Sequence, residues 1–168
     1  MKNYQKIIIL GNLVLVLVLF HRSVYKKETI LSKGTLVLMP LAPVDPRSLM
    51  QGDYMQLNYD LGVSEFQELK HTRGFCVVSL DGRQVATVRR FQTGEKHLQE
   101  GELLVKYFSG ESGSVRIGAE SYFFQEGTVE SYTGARYGGL RVDDEGNSVL
   151  QGLYDSTRRK MRALPVKK

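Results

Sequence analysis

An apolar run near the amino terminus constrains the fold more than any other feature of this chain. Residues 7–20 read IIILGNLVLVLVLF, fourteen positions without a charged side chain, and basic residues flank both ends. The run is shorter than the roughly 20 apolar residues that span a bilayer. Flanking lysines bury their aliphatic stems and keep their ammonium groups in water, which brings the segment near the lower length limit of a membrane span. We therefore predict a single-pass membrane anchor, with its basic flanks, in residues 1–28.

Two alternatives to a retained anchor stay open. A cleaved signal peptide has the same basic start and apolar centre, although the following HRSVYK offers no small-x-small cleavage site. A buried core helix has a similar length. The downstream flank is slightly the more basic, which favours a cytoplasmic body by the positive-inside rule. Because a lone amino-terminal anchor commonly carries the next domain across, we expect an inner-membrane protein with an extracytoplasmic body.

Charge is distributed unevenly along the chain. The net charge is +5, yet residues 1–27 and 156–168 carry five and six basic residues and no acidic ones, so the body between them is acidic. A nucleic-acid partner requires positive charge on the folded domain, and we expect none. The basic tail, residues 156–168, suits contact with anionic lipid headgroups beside the anchor, or it is a solvated, frayed terminus.

The body of the chain has the period-two pattern of β-strands. The predicted strands are residues 35–41, 54–61, 75–80, 84–91, 102–107, 115–124, 140–142 and 148–153. Asp81-Gly82 predicts a tight hairpin with positive φ at both central positions, and Gly118 predicts a bend. We expect residues 29–155 to form one mainly β domain, an antiparallel barrel or sandwich with short helical insertions.

Three sequence blocks stand out within this body. They are VDPRSLMQGDYMQLNYDL, RIGAESYFFQEG and the closing RVDDEGNSVLQGL. Together they resemble the GDYXXLXY family, and the first block fills every fixed position of its signature, with Gly52, Asp53, Tyr54, Leu57 and Tyr59. The resemblance covers residues 29–155 and implies a membrane-anchored bacterial domain. It supplies no activity.

The signature has a structural interpretation. Gly52 permits backbone geometry that other residues avoid, and Asp53 accepts hydrogen bonds from turn amides. Because side chains alternate along a strand, Leu57 and Tyr59 share one face and Tyr54 lies on the other. We therefore expect Leu57 and Tyr59 to point into the core.

A binding interpretation of the same residues stays open. Tyr54, beside Asp53 and Arg47, either forms a recognition surface or only covers the loop. Glu120 and Glu126 flank the aromatic stretch YFF, and a carboxylate there would pair with Arg47. The candidate binding or structural residues are Asp45, Arg47, Gly52, Asp53, Tyr54, Leu57, Tyr59, Glu120 and Glu126.

The alternative function is an envelope hydrolase related to Ser–Lys signal peptidases, whose nucleophile segment also ends in Gly-Asp. Alignment on Gly52-Asp53 places Val44 at the nucleophile, and valine cannot attack a carbonyl. A displaced or degenerate site would use Ser48 with Lys70 or Lys106 as its base. A carboxylate pair, Asp53 with Glu126, is the other route.

Other chemistry has little support in the sequence. His21, His71 and His97 have no metal-site spacing, DDEGN lacks the alternating carboxylates of a calcium loop, and Cys76 sits in an apolar run typical of a core. We expect no metal and no cofactor. Our leading hypothesis is a non-catalytic interaction or accessory subunit, held in lipid by the anchor beside another membrane protein.

Overall fold

The computed structural model of the protein describes residues 3–42, 54–61, 73–94, 98–109, 115–125 and 127–163. Within these ranges, one long helix precedes a series of short strands. The elements are α1 (Asn3–Lys33), β1 (Thr35–Pro40), β2 (Tyr54–Gln56), β3 (Arg73–Leu80), β4 (Ala86–Gln92), β5 (Glu102–Ser109), β6 (Val115–Arg116), β7 (Ser121–Phe123), a 3-10 helix (Val129–Tyr132), β8 (Tyr137–Val142) and β9 (Ser148–Tyr154). The predicted mainly β fold is confirmed.

The strands form three antiparallel sheets, ordered β1-β8-β9, β4-β3-β5-β6 and β2-β7. The two larger sheets share the main core, because Val37, Val78, Val105 and Leu140 are fully buried in one cluster. Leu57 belongs to a smaller second cluster, which lies beneath the third sheet. The described strands close no barrel, so their arrangement is that of packed sheets.

The hairpin between β3 and β4 differs from the predicted tight turn. Asp81 Oδ1 accepts hydrogen bonds from the amides of Arg83 and Val85, both at 2.8 Å. The left-handed φ, 65°, falls on Gln84 and not on Gly82. The prediction of two positive φ angles at Asp81-Gly82 is therefore wrong. The aspartate side chain favours a longer loop, in which a left-handed residue follows the turn.

The same turn closes two further loops. Asp143 and Asp155 accept side-chain hydrogen bonds from following amides as Asp81 does. The left-handed position is occupied by Gly146 in the first loop, at 78°, and by Arg158 in the second, at 65°. An early aspartate, rather than a glycine, is thus the feature that these three turns share.

The turn at Asp155 folds the chain back onto β9. The Met161 amide donates a hydrogen bond to the Leu153 carbonyl at 2.8 Å, and Lys160 forms a β-bridge with Tyr154. The first residues of the basic segment 156–168 therefore pair with the sheet. This part of the tail is integrated into the fold and not frayed.

Candidate functional site

The second half of the signature connects two sheets through its backbone. The Leu57 amide donates a hydrogen bond to the Glu120 carbonyl at 2.7 Å, and the Asp60 amide donates to the Pro40 carbonyl at 2.9 Å. Residues 57–60 thus join the end of β1 to the chain that enters β7. The signature occupies a structural junction.

The side chains of Leu57 and Tyr59 point inward, as their spacing predicts. Leu57 is 1% exposed, and the Tyr59 hydroxyl donates a hydrogen bond to the Ala119 carbonyl at 2.7 Å. Burial raises the pKa of Tyr59, and the charge of Glu120 raises it further, so the phenol stays protonated. A Cβ at Gly138 would lie 2.8 Å from the Tyr59 ring, which explains the glycine opposite it.

Glu120 fixes a backbone bend. Its Oε1 accepts hydrogen bonds from the amides of Ile117, at 2.6 Å, and Gly118, at 2.8 Å. Gly118 has a φ of 79°, which confirms the predicted bend between β6 and β7. These contacts favour a structural role for Glu120.

Tyr54 faces the other way and joins Phe123 in an exposed aromatic pair. The two residues are register partners in the β2–β7 sheet, and their ring centroids lie 5.8 Å apart. Tyr54 is 41% exposed and Phe123 is 74% exposed, whereas their inward neighbour Met55 is 4% exposed. We call Tyr54 and Phe123 the aromatic pair.

Phe123 was absent from the predicted candidate residues. In the sequence it stands between Tyr122 and Phe124, both of which pack against the smaller core. Strict alternation along the strand would have placed Phe123 outward. The signal for Phe123 is therefore this alternation within YFF, and not the aromatic stretch as a whole.

Helix α1 is long and apolar enough to cross a membrane. Within the segment Tyr4–Lys33, the most apolar 18-residue stretch has a mean hydropathy of 2.2 and packs against nothing in the described part of the chain. An isolated apolar helix of this kind is unstable in water and stable in lipid. Length, composition and exposure therefore agree with a membrane span.

The last turns of α1 pack onto the β domain. Ile30 is buried, and the Lys26 ammonium lies 3.1 Å from the Glu145 carboxylate. At the helix end, the Gly34 amide donates to the Ile30 carbonyl at 2.8 Å, and the Arg141 guanidinium donates to the Gly34 carbonyl at 3.0 Å. The helix thus continues past the predicted boundary at residue 28 and is attached to the first sheet.

The comparison with protein families matches this arrangement to a known group. The model of the GDYXXLXY protein family matches residues 16–153, more than half of the chain. The chain belongs to the GDYXXLXY family. The match begins within α1 and ends in β9, so it includes the signature, the three sheets and the helix junction. No curated protein and no solved structure matches the chain.

Part of the GDYXXLXY signature lies outside the described residues. The candidate residues concerned are Asp45, Arg47, Gly52, Asp53 and Glu126. The expected ion pair between Arg47 and a carboxylate therefore stays a prediction. Of the two carboxylates considered for it, Glu120 already accepts two backbone amides.

The residues of the hydrolase hypothesis are described only in part. Lys106 lies on β5, where its ammonium donates to Asn147 Oδ1 at 2.9 Å and stands 5.9 Å above the Phe75 ring. Ser48 and Lys70 lie outside the described residues, as do Asp53 and Glu126. Neither catalytic pair is therefore tested.

The remaining candidate groups are the histidines and the single cysteine, Cys76. Among the residues that the structure describes, no three His, Cys, Asp or Glu side chains come together as a metal site. His21 lies on α1, while His71 and His97 lie outside the described ranges. Cys76 is fully buried in the main core, and burial raises the pKa of its thiol to about 12. This thiol is therefore unreactive at neutral pH.

Proposed function

We propose that this GDYXXLXY protein is a single-pass membrane protein of the bacterial envelope, with its β domain on the extracytoplasmic, periplasmic side. The domain acts as a non-catalytic interaction or accessory subunit and binds another membrane protein. One observation carries the proposal. The aromatic pair is exposed to solvent, whereas Leu57 and Tyr59 of the same signature lie inside the fold.

The exposed aromatic pair is suited to a protein interface. Aromatic side chains are enriched in the buried centres of interfaces, where they contribute much of the binding energy. Phe123 is 74% exposed. Burying this ring on a partner would contribute on the order of 3 kcal/mol from its apolar area. Tyr54 adds a second ring with a hydroxyl that reaches a polar rim.

A variant of Phe123 tests the interaction. We expect Phe123→Ala to reduce the amount of crosslinked partner recovered from native membranes at least tenfold, because the centre of the interface is lost. The free energy of unfolding of the variant should lie within about 1 kcal/mol of that of the wild type, since an exposed ring contributes little to stability. The measurement is crosslinking in membranes, followed by purification and identification of the adducts.

Phe108→Ala is the matched control for this variant. Phe108 is also an exposed aromatic residue on a strand, 39% exposed on β5. We expect its replacement to leave partner recovery unchanged. Equal losses from both variants, or no partner recovered with the wild type, would overturn the proposed interaction.

The side of the membrane is tested by labelling a new cysteine. Arg83 lies in the exposed turn after β3, and the native Cys76 is buried, so Arg83→Cys provides one accessible thiol. In spheroplasts, we expect a membrane-impermeant maleimide to label the variant and not the wild type. Labelling that requires lysis would place the domain in the cytoplasm and contradict the proposed orientation.

A further inference from the structure

A cleft separates α1 from the β domain on one side of the helix. Its volume is about 590 Å³. Leu19 lines its end nearest the apolar segment, and residues 117–118 and 147–149 form the wall across from the helix. The cleft therefore begins where the proposed membrane span ends.

The lining of this cleft is strongly basic. It includes Arg22, Lys26, Lys27 and Lys106, and none of the described residues in the lining is Asp or Glu. A neighbouring cleft shares Arg22 and Lys26 with the first and is lined in addition by three carboxylates, one of which pairs with Lys26. Among the described residues, Arg22 and Lys27 form no ion pair. Lys26 and Lys106 both interact with the charge of Glu145. The first cleft, which we call the basic cleft, thus holds two cations, Arg22 and Lys27, that pair with no carboxylate in the described part of the chain.

The basic cleft lies at the height of lipid headgroups. An α-helix rises 1.5 Å per residue, so Arg22 and Lys27 stand about 3 Å and about 10 Å beyond Phe20, the last residue of the apolar run. The headgroup layer extends roughly 5–8 Å beyond each side of the hydrocarbon core. Arg22 therefore lies within this layer, and Lys27 lies just beyond it and reaches back to the phosphate groups through its long side chain.

We propose that the basic cleft binds the headgroup phosphate of an anionic phospholipid. The phosphate lies among Arg22, Lys27 and Lys106, and an acyl chain descends past Leu19 along the apolar face of α1. Arg and Lys are the side chains that pair with phosphate oxygens in such sites. The inference rests on the membrane span of the proposed function and is independent of the partner and of the side on which the domain lies.

The bound lipid would also stabilise the junction. The cleft is formed jointly by α1 and by chain segments of the β domain, so a headgroup in it contacts both. A ligand that binds only the docked arrangement stabilises that arrangement by mass action. Anionic lipid should therefore raise the unfolding temperature of the full-length protein.

The test uses the full chain in a neutral detergent, with thermal unfolding followed by circular dichroism. Three probes are titrated: short-chain phosphatidylglycerol, short-chain phosphatidylcholine and inorganic phosphate. We expect only phosphatidylglycerol to raise the unfolding temperature. The variant Arg22→Gln/Lys27→Gln should bind it roughly 30-fold more weakly, because two close charges are removed. Glutamine preserves the helix, and Lys26 is left in place to keep its ion pair with Glu145.

The control variant Arg83→Gln/Arg162→Gln removes two exposed charges elsewhere and should keep the full response. Equal stabilisation by phosphatidylcholine, or by phosphate alone, would overturn the proposal, as would an unchanged response of the cleft variant. These results are separate from those on the proposed function. Cytoplasmic labelling of Arg83→Cys or the absence of a partner would overturn that function and leave the lipid response intact.

Discussion

Replacing Leu57 by alanine is expected to destabilise the domain by about 2–5 kcal/mol, because it leaves a cavity in a closed core. Leu57 is 1% exposed and belongs to the cluster that contains Met55, Tyr132 and Leu153. A typical domain is stable by about 5–15 kcal/mol, so this loss is a large part of the total. The loss of stability is measured by urea unfolding of the full chain in detergent, with circular dichroism as the probe.

Tyr54→Ala is the matched control, since it truncates a large side chain three positions earlier in the same signature. Tyr54 is 41% exposed, and its ring contact is with Phe123, which also faces outward. We expect the loss of this side chain to lower the free energy of unfolding by no more than about 1 kcal/mol. Equal destabilisation by the two variants would contradict the division of the signature into an inner and an outer face.

Replacing Gly34 by alanine is expected to disrupt the attachment of α1 to the sheet, at a cost of about 1–3 kcal/mol. A Cβ at this position would lie 2.6 Å from the Ile30 carbonyl oxygen and 2.9 Å from that of Val142. Both are backbone atoms, so these close contacts are relieved only if the helix end and β8 move apart. The hydrogen bond from Arg141 to the Gly34 carbonyl would weaken with that movement. Thermal unfolding and limited proteolysis between α1 and β1 are the measurements.

Gly82→Ala provides the comparison for this effect. A Cβ at Gly82 would meet nothing within 4 Å, and its φ is not left-handed. We expect this variant to be neutral or slightly more stable, because alanine restricts the unfolded chain. If Gly34→Ala is as stable and as protease-resistant as Gly82→Ala, α1 is not tightly docked.

Much of the fold follows from local patterns in the sequence. The period-two stretch at residues 35–41 is β1, Thr35–Pro40, and the inward direction of Leu57 and Tyr59 follows from their spacing. Gly118 marks the bend before β7 because that position requires a left-handed φ. In each case the determining interaction acts within a few residues, so a single stretch of sequence contains enough information.

The features that were missed depend on distant contacts or on side-chain hydrogen bonds. Tyr54 and Phe123 become neighbours only when β2 pairs with β7, and no local sequence pattern predicts that pairing. The second half of α1 is polar and would not be predicted as part of a membrane helix. It is held by contacts such as that between Lys26 and Glu145, 119 positions apart. The turn after β3 was misjudged because the Asp81 side chain, and not Gly82, determines its length.

The most direct test of the account is site-specific photocrosslinking from the aromatic pair in native membranes. A photoreactive phenylalanine analogue replaces Phe123 in one variant and Phe108 in another, so that both probes are exposed aromatic residues of the same domain. We expect a discrete adduct with one membrane protein from position 123 and none from position 108. No adduct from position 123, or the same adduct from both positions, would contradict the claim that the aromatic pair binds a partner.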